Sequence, residues 1–138
     1  LQRVVERNEW PSAAAREYVT NVRCADTVFI PMIESLAGIE NLDAICAIPG
    51  VHAVFVGPND LTTTMGIPNE YDHPQLIALL KKVIDTADRR HVAAGCWFGK
   101  TDQMVRTIRQ GARLVVYSND SAMMRDAMAL AFGELRRG

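Results

Sequence analysis

The chain has 138 residues, of which 49% are hydrophobic and 22% charged, and its formal net charge is −1. That is enough chain for one buried core and too little for two. A near-neutral balance with scattered Lys and Arg leaves no basis for a nucleic-acid partner, and no apolar stretch approaches the ~20 residues of a membrane span, so the expected compartment is the cytoplasm.

Residues 1–8 read as a short helix interrupted at Trp10-Pro11-Ser12. Residues 13–22 follow as a second helix, with Tyr18 and Val22 as its apolar edge. Residues 27–33, rich in Val, Phe and Ile, read as a buried strand that leaves Glu34 at its C-terminal edge. Over 38–48, Ile39, Leu42, Ile45, Cys46 and Ile48 fall at helical spacing before Pro49-Gly50 stops the helix. Residues 51–56 repeat the strand pattern and break at Gly57-Pro58-Asn59-Asp60, a composition that predicts a tight loop. Residues 62–73 contain Gly66, Pro68, Asn69 and Asp72, too broken for regular structure, and should lie over the rim beside Asp60.

Residues 74–90 predict an amphipathic helix with Pro74 at its first position and Leu76, Ile77, Leu80, Val83, Ile84 and Ala87 as the stripe. A third strand follows over 92–98. The helix over 101–110 should turn Met104, Val105 and Ile108 inward and stop at Gly111. Residues 114–117 make a fourth strand ending at Ser118-Asn119-Asp120. A terminal helix over 121–137 carries Met123, Met124, Met128, Leu130, Ala131 and Leu135.

Strands alternating with helices predict an α/β protein of parallel βα units. Glu34 and Asp60 then leave the same rim, the one where such folds place their chemistry. Two hard oxygen ligands there suit Mg²⁺ or Mn²⁺. Taken singly, each acid also fits a purely structural role, common for acids at strand ends: Glu34 capping the next helix and Asp60 forming the turn. Trp97, near the end of the third strand, faces either the mouth of the sheet or the adjacent helix. His52 falls at the opposite rim, His73 beside a helix start and His91 at a helix end, so none is expected to be catalytic. Cys24, Cys46 and Cys96 are odd in number and widely spaced, which predicts buried thiols rather than a disulfide framework or a zinc site.

Pro31-Met32-Ile33-Glu34-Ser35, followed by Val56-Gly57-Pro58-Asn59-Asp60-Leu61, resembles the signature of the HpcH/HpaI family of metal-dependent aldolases, and the interval from position 34 to position 60 fits it. The resemblance runs from about Tyr18 onward. It implies that the four βα units correspond to the C-terminal half of a TIM (β/α)8 barrel. Residues 1–138 would then form a single partial barrel domain, and a start at Leu1 is expected for a piece of a longer aldolase domain. Such a half would pair with a missing half or associate with itself, because its sheet edges are open.

The activity implied is cleavage or formation of a 4-hydroxy-2-oxo acid through a pyruvate enolate. The substrates would be pyruvate or oxaloacetate with an aldehyde, and the metal would be Mg²⁺ or Mn²⁺ on Glu34 and Asp60. Substrate contacts implied are Gly57, Pro58, Asn59, Asp60 and Trp97. Pro58 has no N–H, so the amides of Asn59 and Asp60 would hold the carboxylate. The family's glutamine two residues before the glutamate is Met32 here. Its histidine acid/base pair and carboxylate-binding arginine find no match, so no catalytic residue is assigned. The alternatives are a CoA-ester lyase of the citrate lyase β-subunit type and a non-catalytic half-barrel assembly module. The apolar terminal helix predicts a homo-oligomer.

Overall fold

The computed structural model describes residues 12–23 and 26–137. The helix expected over 1–8, the Trp10-Pro11 interruption and Cys24 lie outside them. At the centre is a four-stranded parallel sheet in the order β1-β2-β3-β4, built from Met32–Ile33 (β1), Ala53–Val56 (β2), Ala93–Phe98 (β3) and Leu114–Tyr117 (β4). The helices are Ala13–Glu17 (α1), Leu36–Glu40 (α2), Leu42–Cys46 (α3), Pro58–Thr64 (α4), Pro74–Arg89 (α5), Thr101–Arg109 (α6) and Asp120–Leu135 (α7), with α1 running on into a π-helical turn over Tyr18–Arg23. Among the described residues, no helix is long and apolar enough to cross a membrane.

The register decides which side chains meet. Ile33 lies opposite Val56, Val56 opposite Cys96, and Cys96 opposite Val115. Paired residues of parallel strands share a face, and alternation sends the next position to the other face. One face therefore collects Ile33, Val54, Val56, Ala94, Cys96 and Phe98, each no more than 3% exposed. Leu76, Leu80, Val83 and Ala87 of α5 join the same buried core. Burying Phe98 alone contributes about 1.5–3 kcal/mol. The opposite face carries Met32, Phe55, Trp97 and Val116.

Several elements depart from expectation. The residues before β1 are not buried: Val28 and Phe29 are each 64% exposed, and only an isolated bridge from Phe29 to Val51 precedes the ladder. Among the described residues, β1 is an edge strand with no neighbour on its outer side. The single helix expected over 38–48 is two, α2 and α3, divided at Asn41, whose Nδ2 donates to the Ala37 carbonyl at 2.9 Å. That local bond competes with helix continuation. In α6, Met104 is buried as expected, but Val105 and Ile108 are exposed, and Gln103 and Thr107 take the inward positions. Both find polar partners: Gln103 Nε2 donates to Asp72 at 3.1 Å and Thr107 Oγ1 to the Gln103 carbonyl at 2.9 Å. A satisfied polar group can be buried at little cost. No residue of α7 is buried.

Candidate active site

β1 and β2 end side by side. Gly57 follows Val56, and its N–H donates to the Ile33 carbonyl at 3.1 Å, which brings it next to Glu34. The absent side chain at position 57 lets the Glu34 carboxylate lie against the backbone, since a Cβ there would sit 3.1 Å from Glu34 Oε2 and 3.3 Å from Met32 Sδ.

The chain does not make the expected tight loop at Gly57-Pro58-Asn59-Asp60. It passes directly into α4, with Gly57 as N-cap, Pro58 in the first turn and Asp60 behind it. Proline's fixed φ and missing N–H suit a helix start, and a carboxylate in the first turn is favoured by the helix dipole. The helix also absorbs residues 62–64 of the segment expected to be irregular. Thr62 and Thr63 hydroxyls each donate to the Asn59 carbonyl at 2.9 Å and tighten the turn.

This geometry creates a cavity of about 360 Å³ lined by Glu34, Gly57, Pro58, Asn59, Asp60 and Trp97, together with Met32, Phe55 and Val116. All six positions singled out from the sequence line it. The strand contributions follow the alternation of the sheet, because Met32 and Glu34, Phe55 and Gly57, Trp97 and its ladder partner Val116 share the face turned away from the helices. Trp97 Nε1 donates to the Ser118 carbonyl at 2.8 Å, which fixes the indole. Phe55 and Val116 were missed from the sequence, and Met32 was noted only as standing at the family's glutamine position; counting back by twos from Glu34 and Gly57 finds Met32 and Phe55.

Glu34 and Asp60 are exposed to the cavity, and neither is in an ion pair among the described residues. The structural roles expected for them take a different form, with Asp60 left a favourable place at the positive end of the α4 dipole. Ser35, not Glu34, caps α2, its Oγ accepting from the Gly38 N–H at 3.1 Å, and Asp60 sits in a helix instead of forming a turn. Two unpaired hard carboxylates fit Mg²⁺ or Mn²⁺, which complete their shells with water or substrate oxygens. Among the described residues, no group of three or more His, Cys, Asp or Glu gathers at one place.

No histidine lines this cavity. His73 caps α5, its Nδ1 accepting from the Gln75 N–H at 3.2 Å, and the His52 carbonyl accepts from Ala93 within the ladder. Cys46 and Cys96 are free and buried. Burial pushes the Cys96 thiol up to about 11, with a hydrogen bond to Thr107 pulling partly back, and burial followed by the Asp43 charge raises Cys46. Neither is an available nucleophile.

Parallel βα units with acids at the C-terminal strand ends define an α/β protein of the (β/α) barrel type, whose chemistry belongs at that rim. The family profile for "HpcH/HpaI aldolase/citrate lyase" matches residues 2–127, and the chain belongs to that family. It is 34% identical over 100 residues to the hydroxypyruvate/pyruvate aldolase of Roseobacter denitrificans, covering 72% of this chain and 39% of the relative. It is 32% identical over 100 residues to the 2-keto-3-deoxy-L-rhamnonate aldolase of Escherichia coli, covering 70% and 36%. Among solved structures, an HpcH/HpaI aldolase/citrate lyase family protein of Burkholderia cenocepacia superposes with a TM-score of 0.80 at 30% identity, covering 88% of this chain and 47% of that one. The chain thus spans less than half the length of these relatives.

Proposed function

We propose that the protein carrying this chain is a divalent-metal-dependent carbon–carbon lyase. It would cleave or form a 4-hydroxy-2-oxo acid through a pyruvate enolate, with residues 1–138 as one partial (β/α) barrel domain that supplies the metal and oxo-acid part of the site. The observation that carries this is the pair Glu34 and Asp60, which leave the ends of adjacent parallel strands, line one cavity and lack a basic partner among the described residues. Relatives named for hydroxypyruvate, pyruvate and a 2-keto-3-deoxy acid support the 2-oxo acid class.

Glu34 and Asp60 would hold Mg²⁺ or Mn²⁺. When bound, the ion supplies Lewis acidity that eases the build-up of negative charge on the oxo acid. The amides of Asn59 and Asp60, first-turn N–H groups that helix geometry leaves without intrahelical acceptors, donate to the substrate carboxylate. Gly57 keeps the wall open for the Glu34 carboxylate. Met32, Phe55 and Trp97 present apolar surface that excludes water from the reacting carbon, and Trp97 faces the aldehyde half. Proton transfer to the aldehyde oxygen comes, in this proposal, from the part of the relatives' length that this chain does not span. Two unpaired thiols suit a reducing compartment, and the cytoplasm is the proposed setting. The uncovered apolar side chains of α7 support a homo-oligomer.

Calorimetric titration with Mn²⁺ tests the site. Glu34→Gln and Asp60→Asn should each weaken binding by about tenfold or more. In the full-length protein both should abolish exchange of the pyruvate methyl protons and decarboxylation of oxaloacetate. Unchanged affinity in both variants, or a wild type that carries out neither reaction with Mn²⁺ present, overturns the proposal.

A further inference from the structure

Tyr71 lies in the irregular segment between α4 and α5 and does not line the cavity with the two acids, yet it is tied to a residue that does. Its hydroxyl is 2.6 Å from Asn59 Oδ1 and 2.9 Å from Asn69 Oδ1. A phenol has one hydrogen to donate, so it cannot donate to a carbonyl oxygen in both contacts. The shorter distance is that of an O–H···O bond and the longer that of an N–H···O bond. We therefore assign the hydroxyl hydrogen to Asn59 Oδ1 and exchange the oxygen and nitrogen of the Asn69 amide, so that Asn69 Nδ2 donates to the phenol. With its oxygen engaged, the Asn59 side chain has its Nδ2 hydrogens left to offer, and among the described residues Nδ2 has no partner.

The phenol is itself held from three directions. Its ring packs edge-on against Phe98 of β3, with centroids 6.0 Å apart and planes at 70°. The Tyr71 main-chain carbonyl accepts from Arg106 Nη2 at 3.2 Å, and the neighbouring Asp72 accepts from Arg106 Nη1 at 2.9 Å and from Gln103 Nε2 at 3.1 Å. Asn69, at φ 63, is pinned through its own N–H to Thr62 Oγ1 at 3.2 Å. Side chains from β3, α4 and α6 thus fix the point from which the hydroxyl reaches Asn59.

We propose that Tyr71 is a positioning residue for substrate binding: it holds the Asn59 side chain by its oxygen, so that the Asn59 NH₂ donates to a carboxylate oxygen of the 2-oxo acid in the cavity. The inference rests on the 2-oxo acid reading of that cavity, and it adds a side-chain donor to the backbone amides already assigned.

The test is steady-state kinetics of the full-length protein with oxaloacetate and Mn²⁺. Tyr71→Phe keeps the ring and its packing on Phe98 and removes only the hydroxyl. KM should rise about 3- to 10-fold, the range for one lost hydrogen bond, with kcat within about twofold, because the interaction is made equally in ground and transition states. Mn²⁺ affinity should not change. Asn59→Ala should give a similar rise, and the double variant no more than the larger single effect. A role for Tyr71 in general loop stability would instead lower the melting temperature and add to the Asn59→Ala effect. An unchanged KM in Tyr71→Phe, or additive losses in the double variant, overturns this inference alone. A wild type inactive with Mn²⁺ overturns the aldolase reading and the ligand assigned here with it.

Discussion

At the scale of single residues, Gly57 shows how the site depends on an absence. Its φ of −89 is one that any residue adopts, so the backbone conformation does not require glycine. The close approach does, because a Cβ would stand 3.1 Å from both Glu34 Cβ and Glu34 Oε2. Gly57→Ala should therefore rotate the Glu34 carboxylate away and move the adjoining ends of β1 and β2 apart by a few tenths of an ångström, with the fold nearly intact. Mn²⁺ affinity measured by calorimetry should fall about tenfold, while the melting temperature moves little. Gly95 is the contrasting case. A Cβ there would meet the Leu114 carbonyl oxygen at 2.5 Å, and a strand backbone cannot swing away as a side chain can. Gly95→Ala should cost about 1–3 kcal/mol of stability in thermal or denaturant unfolding, through strain between β3 and β4.

At the scale of elements, two carboxylates tie together parts of the chain that are far apart in sequence. Asp43 of α3 takes a two-pronged contact from Arg90 at the end of α5, and Asp72 before α5 takes Arg106 of α6. The Arg106 hydrogen bond, then that of Gln103, holds the Asp72 carboxyl below the usual carboxylate range, and the Arg90 hydrogen bond does the same for Asp43. A depressed folded-state pKa means a contribution fully present above the unfolded value of about 3.9 and lost as pH falls through the lowered folded value. The difference in melting temperature between wild type and Asp72→Asn should therefore be present at neutral pH and shrink toward pH 3. Both acids are exposed, so the effect should be small. α5, β3 and β4 were legible to within about a residue, α5 because its apolar stripe is long and unbroken, and the two strands because each is a short apolar run that ends at turn-forming residues, Gly99 and Ser118-Asn119-Asp120. α4 was not, because Gly-Pro-Asn-Asp carries the composition of both a turn and a helix start, and only the chain that follows it in space decides between them. The inward face of α6 was also misjudged, because hydrophobicity alone cannot know that Gln103 will find Asp72.

At the scale of the whole molecule, much apolar surface is uncovered. On α7, Met124 is 65% exposed, Leu130 71% and Leu135 75%, and Val115, Val116 and Tyr117 of β4 are also exposed. At about 25 cal/mol per Å² of apolar area, covering several such side chains is worth several kcal/mol, which favours association. If α7 supplies part of the proposed homo-oligomer interface, the double substitution Met124→Lys with Leu130→Lys should shift the protein toward smaller species in sedimentation velocity. A wild type that sediments as a well-folded monomer at micromolar concentration would contradict the oligomer.

The sequence by itself determined the alternation of strands and helices, the acids at the two strand ends and the family motif around them, because these depend on local periodicity and on residues close together in the chain. Only the tertiary structure decided that Glu34, Gly57, Trp97 and Val116 share a face, since that follows from the register of β1 against β2, of β2 against β3 and of β3 against β4. It also decided that Tyr71 reaches Asn59, a contact across 12 positions that no local pattern encodes. A register shift of one residue would turn every one of these strand side chains to the other face, and the cavity would not exist.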